Sequence, residues 1–286
     1  MTLEQLKDKW TEQDGKCAIS FLPMRTGTHV DYKCSPERLD NNTTYTDENV
    51  VLIIAELNIG QSKQFTRNLL VDICQPDTNE HPSIDEIDSL GDRKNTTINV
   101  YGPLVTRIDE QQVTLYQCVV CEEFKEIAAF TIKDKKTQRR SRTCRTCDNI
   151  KSKSRVATTD GKLNRILGHA RSSTRRRNSV QNRCETTFEI TIDDLGTMLK
   201  AQKGKCHYSQ KNLTFDGKAH FHISLERKDV NIGYTKDNCV FICEELNTTN
   251  QSAIQSLHDQ EKQGNAGWTQ TKFDNFRKEI NLQEIT

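Results

Sequence analysis

Residues 224–247 read SLERKDVNIGYTKDNCVFICEELN, and residues 35–58 read SPERLDNNTTYTDENVVLIIAELN. The two align without a gap at a displacement of 189 positions, and GKCAIS at 15–20 answers GKCHYS at 204–209 at the same displacement. About twenty of the 57 positions in residues 2–58 are identical to their counterparts, so the chain contains an internal duplication. Each copy predicts the same order of elements. A helix over 3–13 or 192–202 stops at Gly15 or Gly204, residues suited to a C-terminal cap. An extended segment ending near Glu37 or Glu226 leads into a polar loop through Tyr45 or Tyr234. The β-branched run 49–53 or 238–242 has strand character, and a helical segment then carries Asn58 or Asn247.

What lies between the copies differs in charge. The 286 residues hold 41 Lys+Arg against 40 Asp+Glu, but residues 118–183 alone hold 18 against 6. A segment near +12 therefore sits among parts that sum to about −11. Such a concentration is expected where a chain neutralises phosphates: Lys133, Lys135, Lys136, Arg139, Arg140, Arg142 and Arg145, and further on Arg175, Arg176 and Arg177. Few aromatics interleave there, which favours a duplex backbone over stacked single-stranded bases. The plainer alternative is a solvated basic loop.

Hydrophobic residues make up 34% of the chain and mean hydropathy is −0.76, so small modules are expected rather than one large core. The longest apolar run, 50–55, is far short of the ~20 residues of a membrane span. The start, MTLEQLKDKW, has no basic stretch followed by an apolar one, so an intracellular, non-secreted protein is expected. In that setting the 11 cysteines are better read as thiols and metal ligands than as disulfides. Cys118 and Cys121 form one C-x-x-C, Cys144 and Cys147 another, with 22 residues between, the spacing of a tetrahedral four-cysteine structural zinc site. Phe124 and Phe130 are expected to pack under these knuckles. Cys17, Cys74, Cys184, Cys206, Cys239 and Cys243 lack the pattern and are expected to be core thiols.

Glu226, Asn238 and Asn247, and the parallel set Glu37, Asn49 and Asn58, resemble the HNH nuclease family, in particular its phage and large-virus branch. That branch carries S-L-[DE]-R-x-D, then G-Y-T-x-[DE]-N and a closing Asn. The cysteine pattern resembles the module that precedes the nuclease core in many phage HNH proteins. The resemblance implies an α+β fold, with two ββα-metal modules flanking a small zinc-ribbon-like segment. The expected divisions are 1–75, 76–115 (an acidic linker or lobe of uncertain order), 116–185 and 186–286.

It also implies an active centre. Mg²⁺ or Mn²⁺ would be held by Glu226 and Asn247, and by Glu37 and Asn58 in the first copy, because a hard cation seeks oxygen ligands. Asn238 and Asn49 would fix the loop, and Arg227 and Arg38 would grip the scissile phosphate. The family's usual His beside the metal carboxylate is replaced by Arg227 or Arg38. His222, and after it His220, are then the candidate bases, sharing a face with Glu226 if the segment is a strand. In the first copy Asp31 and Lys33 stand at those positions, with His29 nearby, and Pro36 replaces Leu225, so that module is expected to be weakened or to serve binding.

The expected activity is hydrolysis of duplex DNA to 5′-phosphate and 3′-hydroxyl ends, site-specific in the restriction or homing manner, by a monomer or homodimer. One alternative is a non-catalytic, zinc-containing DNA-binding protein retaining the HNH fold. Another is a protein-interaction module. Residues 161–182 carry apolar positions at helical spacing, and Trp268, Phe273 and Phe276 are expected to close the core, with Ile254 and Leu257 extending a helix after Asn247.

Overall fold

The computed structural model describes residues 1–27, 30–58, 65–90, 104–179, 187–229, 232–247 and 267–285. The protein is mixed α+β with small antiparallel sheets, in two compact units: residues 1–88 with 166–286, and residues 89–165. Both repeats thus belong to one unit, and the four paired cysteines to the other. His29, Cys184, Ile254 and Leu257 lie outside the described residues.

The first repeat opens with α1 (Leu3–Glu12), whose N-terminus is closed by a capping box between Thr2 and Gln5. Its chain reverses through Asp14 and Gly15, both at positive φ, with Gly15 N–H donating to Trp10 O at 2.9 Å. Strands β1 (Cys34–Arg38) and β2 (Val50–Ile54) form an antiparallel hairpin that places Glu37 opposite Val51. A single 3-10 turn, Ala55–Leu57, follows and ends at Asn58. After it comes α2 (Arg67–Cys74). The expected helix carrying Asn58 is therefore one tight turn, and Asn58 caps its C-terminal end with non-helical backbone (φ −88°, ψ 80°).

A short helix α3 (Ile84–Asp88) precedes the second unit. There β3 (Thr106–Ile108), β4 (Thr114–Gln117) and β5 (Phe124–Glu126) make one sheet, and β6 (Phe130–Asp134) and β7 (Arg139–Cys144) make a hairpin. Helix α4 (Arg145–Ala157) continues from β7. Helix α5 (Thr159–Asn178) begins in the second unit, and from Ile166 onward belongs with the repeats. Its apolar positions Leu163, Leu167 and Ala170 are buried.

The second repeat restates the first: α6 (Ile192–Ala201), β8 (Ile223–Arg227), β9 (Cys239–Cys243) and a 3-10 turn over Glu244–Leu246. Every one of these elements begins 189 positions after its counterpart. Positive φ recurs at the same displacement: Asp14 and Lys203, Gly15 and Gly204, Phe21 and Gln210, Tyr32 and Phe221. The Gln13 amide donates to Lys16 O and Leu52 O and accepts from Leu52 N, fastening helix to hairpin. Gln202 makes the same three bonds with Lys205 and Phe241.

The last helix, α7 (Gln270–Ile285), ties the repeats together. Its Phe273 and Phe276 are fully buried beside Trp268, and reach Tyr208 of the second repeat (6.5 Å) and Tyr32 of the first (6.5 Å). The two 3-10 turns also lie against each other, as do α2 and α7. Lys272 sets its ammonium 2.5 Å from the fully buried Glu56 and 2.7 Å from Asp31. Residues 77–88 run as a strap across the second repeat rather than as a free linker. Asp77 accepts from Lys211 Nζ (3.1 Å) and from Asn212 N–H (2.8 Å). His81 is buried, its Nε2 2.6 Å from Leu213 O, and Ile87 is buried against Gly204, where a Cβ would come within 2.7 Å of both His81 and Ile87.

Lys272→Met would leave Glu56 buried without its cation, and is expected to lower stability by about 3–5 kcal/mol, read from urea midpoints. Adding Glu56→Gln to that variant should recover a measurable part of the loss.

Candidate metal centres and nucleic-acid interface

On β8 side chains alternate between faces, so Ser224 and Glu226 share one face of the hairpin. Asn247, just beyond the 3-10 turn, donates its Nδ2 to Ser224 Oγ at 2.7 Å, which brings the turn over that face. With Nδ2 used as a donor, Oδ1 is the amide atom an oxygen-seeking cation would take. The first repeat builds the same arrangement. Asn58 Nδ2 donates to Ser35 Oγ at 3.0 Å and to Pro36 O at 3.2 Å, with Glu37 two residues along β1. The serines were not singled out from sequence, although their identity in both copies marks them.

Asn238 organises the loop between the strands. Its Oδ1 accepts from Asp229 N–H (2.9 Å), and its Nδ2 donates to Asp229 O (2.9 Å) and Gly233 O (3.0 Å). Asn49 does the same through Asp40 and Thr44. Each loop also carries an arginine over a tyrosine ring, Arg227 over Tyr234 at 5.2 Å and Arg38 over Tyr45 at 5.1 Å. A second guanidinium, Arg177 from α5, lies over Tyr234 at 5.6 Å and donates to its hydroxyl at 3.4 Å. Sequence reasoning placed Arg177 only in a general basic run; its place beside this loop depends on the long-range path of α5.

Burial pushes the Glu226 carboxyl up to about 7, against the opposing influence of Arg227 and Arg177. Burial also raises Glu37, with Arg38 opposing it. A carboxylate that is costly to ionise where it stands suits a position where a cation would stabilise the ionised form.

The two histidines stand differently from each other: His222 continues the hairpin pairing, its O accepting from Glu244 N–H at 2.7 Å, whereas His220 does not share that face. Strand β8 starts at Ile223, and Phe221 between them has φ +59°, so the regular alternation does not extend back to His220. His220 is 57% exposed, with Nδ1 3.3 Å from Oε1 of the buried Glu245. His222 is 16% exposed, with Nδ1 3.9 Å from Glu244 Oε2.

In the second unit the sulfur atoms of Cys118, Cys121, Cys144 and Cys147 all lie within 4.8 Å of one another. Tetrahedral zinc with bonds of about 2.3 Å separates its sulfurs by roughly 3.8 Å, so this set fits a structural metal such as zinc. Cys118 and Cys121 sit in a turn before β5, and Cys144 ends β7 so that Cys147 falls in the first turn of α4. Burial opposes ionisation of Cys118, yet backbone N–H groups of Cys121, Cys144 and Val120 directed at its sulfur hold the thiol at about 6. Phe130 is fully buried with Cys118 and Cys144, but Phe124 stands apart under Arg107, 4.5 Å from its ring centre. Cys17, Cys74, Cys206, Cys239 and Cys243 are buried, as expected of core thiols.

The basic side chains divide by task. Lys135, Lys136 and Arg139 are exposed around the β6–β7 turn, with Lys133 on β6, Arg145 at the start of α4 and Arg175 and Arg176 exposed on α5. Arg140 instead donates to Ile127 O (3.2 Å) and Phe130 O (2.8 Å), holding the unit together, and Arg142 is only partly exposed. Among the described residues no helix is long and apolar enough to cross a membrane. Comparison with protein-family models, with curated proteins and with solved structures finds no match.

Two outcomes follow from this geometry. The folded protein retains the Glu226 proton to about 7, whereas the ordinary value is 4.5, so this group's ionisation costs stability as pH rises between those values. Without added divalent cation, Glu226→Gln should therefore raise the urea midpoint relative to the parent at pH 8 and leave it unchanged at pH 4. For the cysteines, zinc released by thiol modification should amount to about one equivalent per chain, and Cys144→Ser should abolish it and unfold the unit of residues 89–165.

Proposed function

We propose that this chain is a metal-dependent endonuclease of duplex DNA, acting inside the cell. It would hydrolyse phosphodiester bonds to 5′-phosphate and 3′-hydroxyl ends at chosen sites, in the restriction or homing manner. The observation that carries the reading is the cluster of Glu226, Ser224 and Asn247 on one hairpin face, with Arg227 next along the strand reaching into the adjoining loop, repeated as Glu37, Ser35, Asn58 and Arg38. This is the constellation in which the chain resembles HNH nucleases, with two ββα-metal modules around a zinc-ribbon-like segment.

Mg²⁺ or Mn²⁺ held by Glu226 and Asn247 would supply stabilisation of charge on the leaving oxygen. Arg227 binds and orients the phosphate through its fork of donors. Asn238 keeps the loop carrying Arg227 and Tyr234 closed, so the guanidinium meets its ligand already placed. His222 is the first candidate for the base and would take the proton of the attacking water at Nδ1, which lies 3.9 Å from Glu244 Oε2, because its Nε2 is buried beside Gly217; His220 is the second candidate. The four cysteines would hold a structural zinc ion that folds the basic unit, and would leave that ion no part in the chemistry. Lys133, Lys135, Lys136, Arg139, Arg145, Arg175 and Arg176 contact phosphates.

The test is supercoiled plasmid incubated with Mg²⁺ or Mn²⁺: the parent should cut and Glu226→Ala should lose at least 100-fold in rate. Cutting by Glu226→Ala and by the double variant with Glu37→Ala would overturn the assignment. Salt-sensitive duplex binding with no cleavage under either cation would favour the non-catalytic DNA-binding alternative. Combined substitution of Lys135, Lys136 and Arg139 by Ala should weaken binding to all sequences alike and reduce the salt slope by about one for each phosphate no longer neutralised.

A further inference from the structure

The repeats share a backbone, but the surroundings of their equivalent sites differ in a consistent direction. In the second repeat His222 faces Glu244; at the equivalent positions of the first stand Lys33 and Ala55, so both members of the pair are replaced together. The second pair, His220 on buried Glu245, is answered by Asp31 and Glu56, and these two are occupied by the ammonium of Lys272 from α7. Tyr234 is 7% exposed, enclosed by Arg227, Arg177 and the ring of Phe188 at 5.9 Å. Tyr45 is 50% exposed, and among the described residues Arg38 is the one guanidinium over its ring.

Arg177 has a further property. Its Nη1 is buried and makes no hydrogen bond among the described residues, while Nη2 is occupied by the Tyr234 hydroxyl. A buried guanidinium nitrogen left without an acceptor is unfavourable, and such donors are retained where an incoming anionic oxygen completes them. Arg177 shares the Tyr234 ring with Arg227, at 5.6 and 5.2 Å, and Arg227 follows Glu226 on β8, so Arg177 lies beside the strand that carries the candidate centre. Two like charges enclosing one ring are poorly matched to each other but suit a doubly coordinated phosphate.

We propose that hydrolysis is confined to the second repeat, where Arg177, supplied by α5 from outside the repeat, is the second guanidinium on the scissile phosphate, and that one binding event cuts one strand. This rests on the nuclease reading. The water oxygen bonds to phosphorus as the bond from phosphorus to the 3′ oxygen breaks; Nδ1 of His222, beside Glu244, takes the water proton, since Nε2 is buried, and the 3′ oxygen gains a proton from solvent. The step is a substitution with no change of oxidation state. The first repeat keeps the fold and, with Lys272 across Asp31 and Glu56, acts as the frame on which α7 is seated.

The experiment uses the full chain, supercoiled plasmid and a duplex with a different label on each strand, in Mg²⁺ or Mn²⁺. The expected product is nicked circle, with linear molecules arising only later from independent nicks, and one labelled strand cut at a given site. Glu226→Gln should abolish cutting of both strands. Arg177→Ala and Arg177→Lys should each slow single-turnover nicking by roughly 100-fold, the size of effect seen when one preorganised donor to a reacting oxygen is removed. The Lys variant keeps a cation near Tyr234, so it separates loss of the fork from loss of folding, which is checked by zinc content and urea midpoint. Linear product formed at the rate of nicking, residual cutting of either strand by Glu226→Gln, or parental rates in folded Arg177 variants would overturn the proposal. Absence of any cleavage by the parent would overturn the nuclease reading itself.

Discussion

A carboxylate with no exposure to water has to be neutralised where it stands, and Glu56 meets that constraint with the ammonium of Lys272 and the N–H of Tyr32. Much of the larger unit depends on this ion pair. It seats α7 against the first repeat, which brings Phe273 and Phe276 into a core shared with Tyr208 of the second. Glu245, the equivalent carboxylate, is closed by Phe221 N–H and by His220, a group that remains largely exposed. The same local problem therefore has two solutions in one chain, one that joins the repeats and one that leaves an imidazole at the surface.

The hairpins and their flanking helices were legible because they are local and written twice. Gly15 and Gly204 stop helices as their type suggests, and the residues around Glu37 and Glu226 pair in the same register. The paired cysteines were legible for a similar reason, since a four-cysteine cluster that can hold a metal fixes both residue type and spacing. What sequence did not convey is long-range. Residues 77–88 looked like an acidic linker because Asp77 and His81 have no partners nearby in sequence; theirs are Lys211, Asn212 and Leu213. The 3-10 turn before Asn58 and Asn247 was missed because its length is set by packing against the other repeat and by the Asn–Ser bond, neither a property of helix propensity.

At the candidate site the same division holds. Glu226, Asn238, Asn247 and Arg227 stood out because both copies carry them; hydrogen bonds account for Asn238 as a loop clasp and Asn247 as the partner of Ser224, and Arg227 lies over Tyr234. The His222 and Glu244 pair differs between copies, so a search for identity overlooks its partner, and Arg177 comes from outside the repeat altogether. The basic run was legible as charge, but not as function residue by residue: Arg140 holds two internal carbonyls, while Lys135, Lys136 and Arg139 stay exposed at the turn.

The order of synthesis gives the Lys272 ion pair another meaning. Glu56 lies 216 residues ahead of the cation that neutralises it. While the ribosome works through that interval, the first repeat has a hairpin but no partner for its buried acid, and the four-cysteine unit is made before that partner arrives. The portion translated first is thus among the last to be completed, and in the meantime it is the part a chaperone would hold or a protease would find.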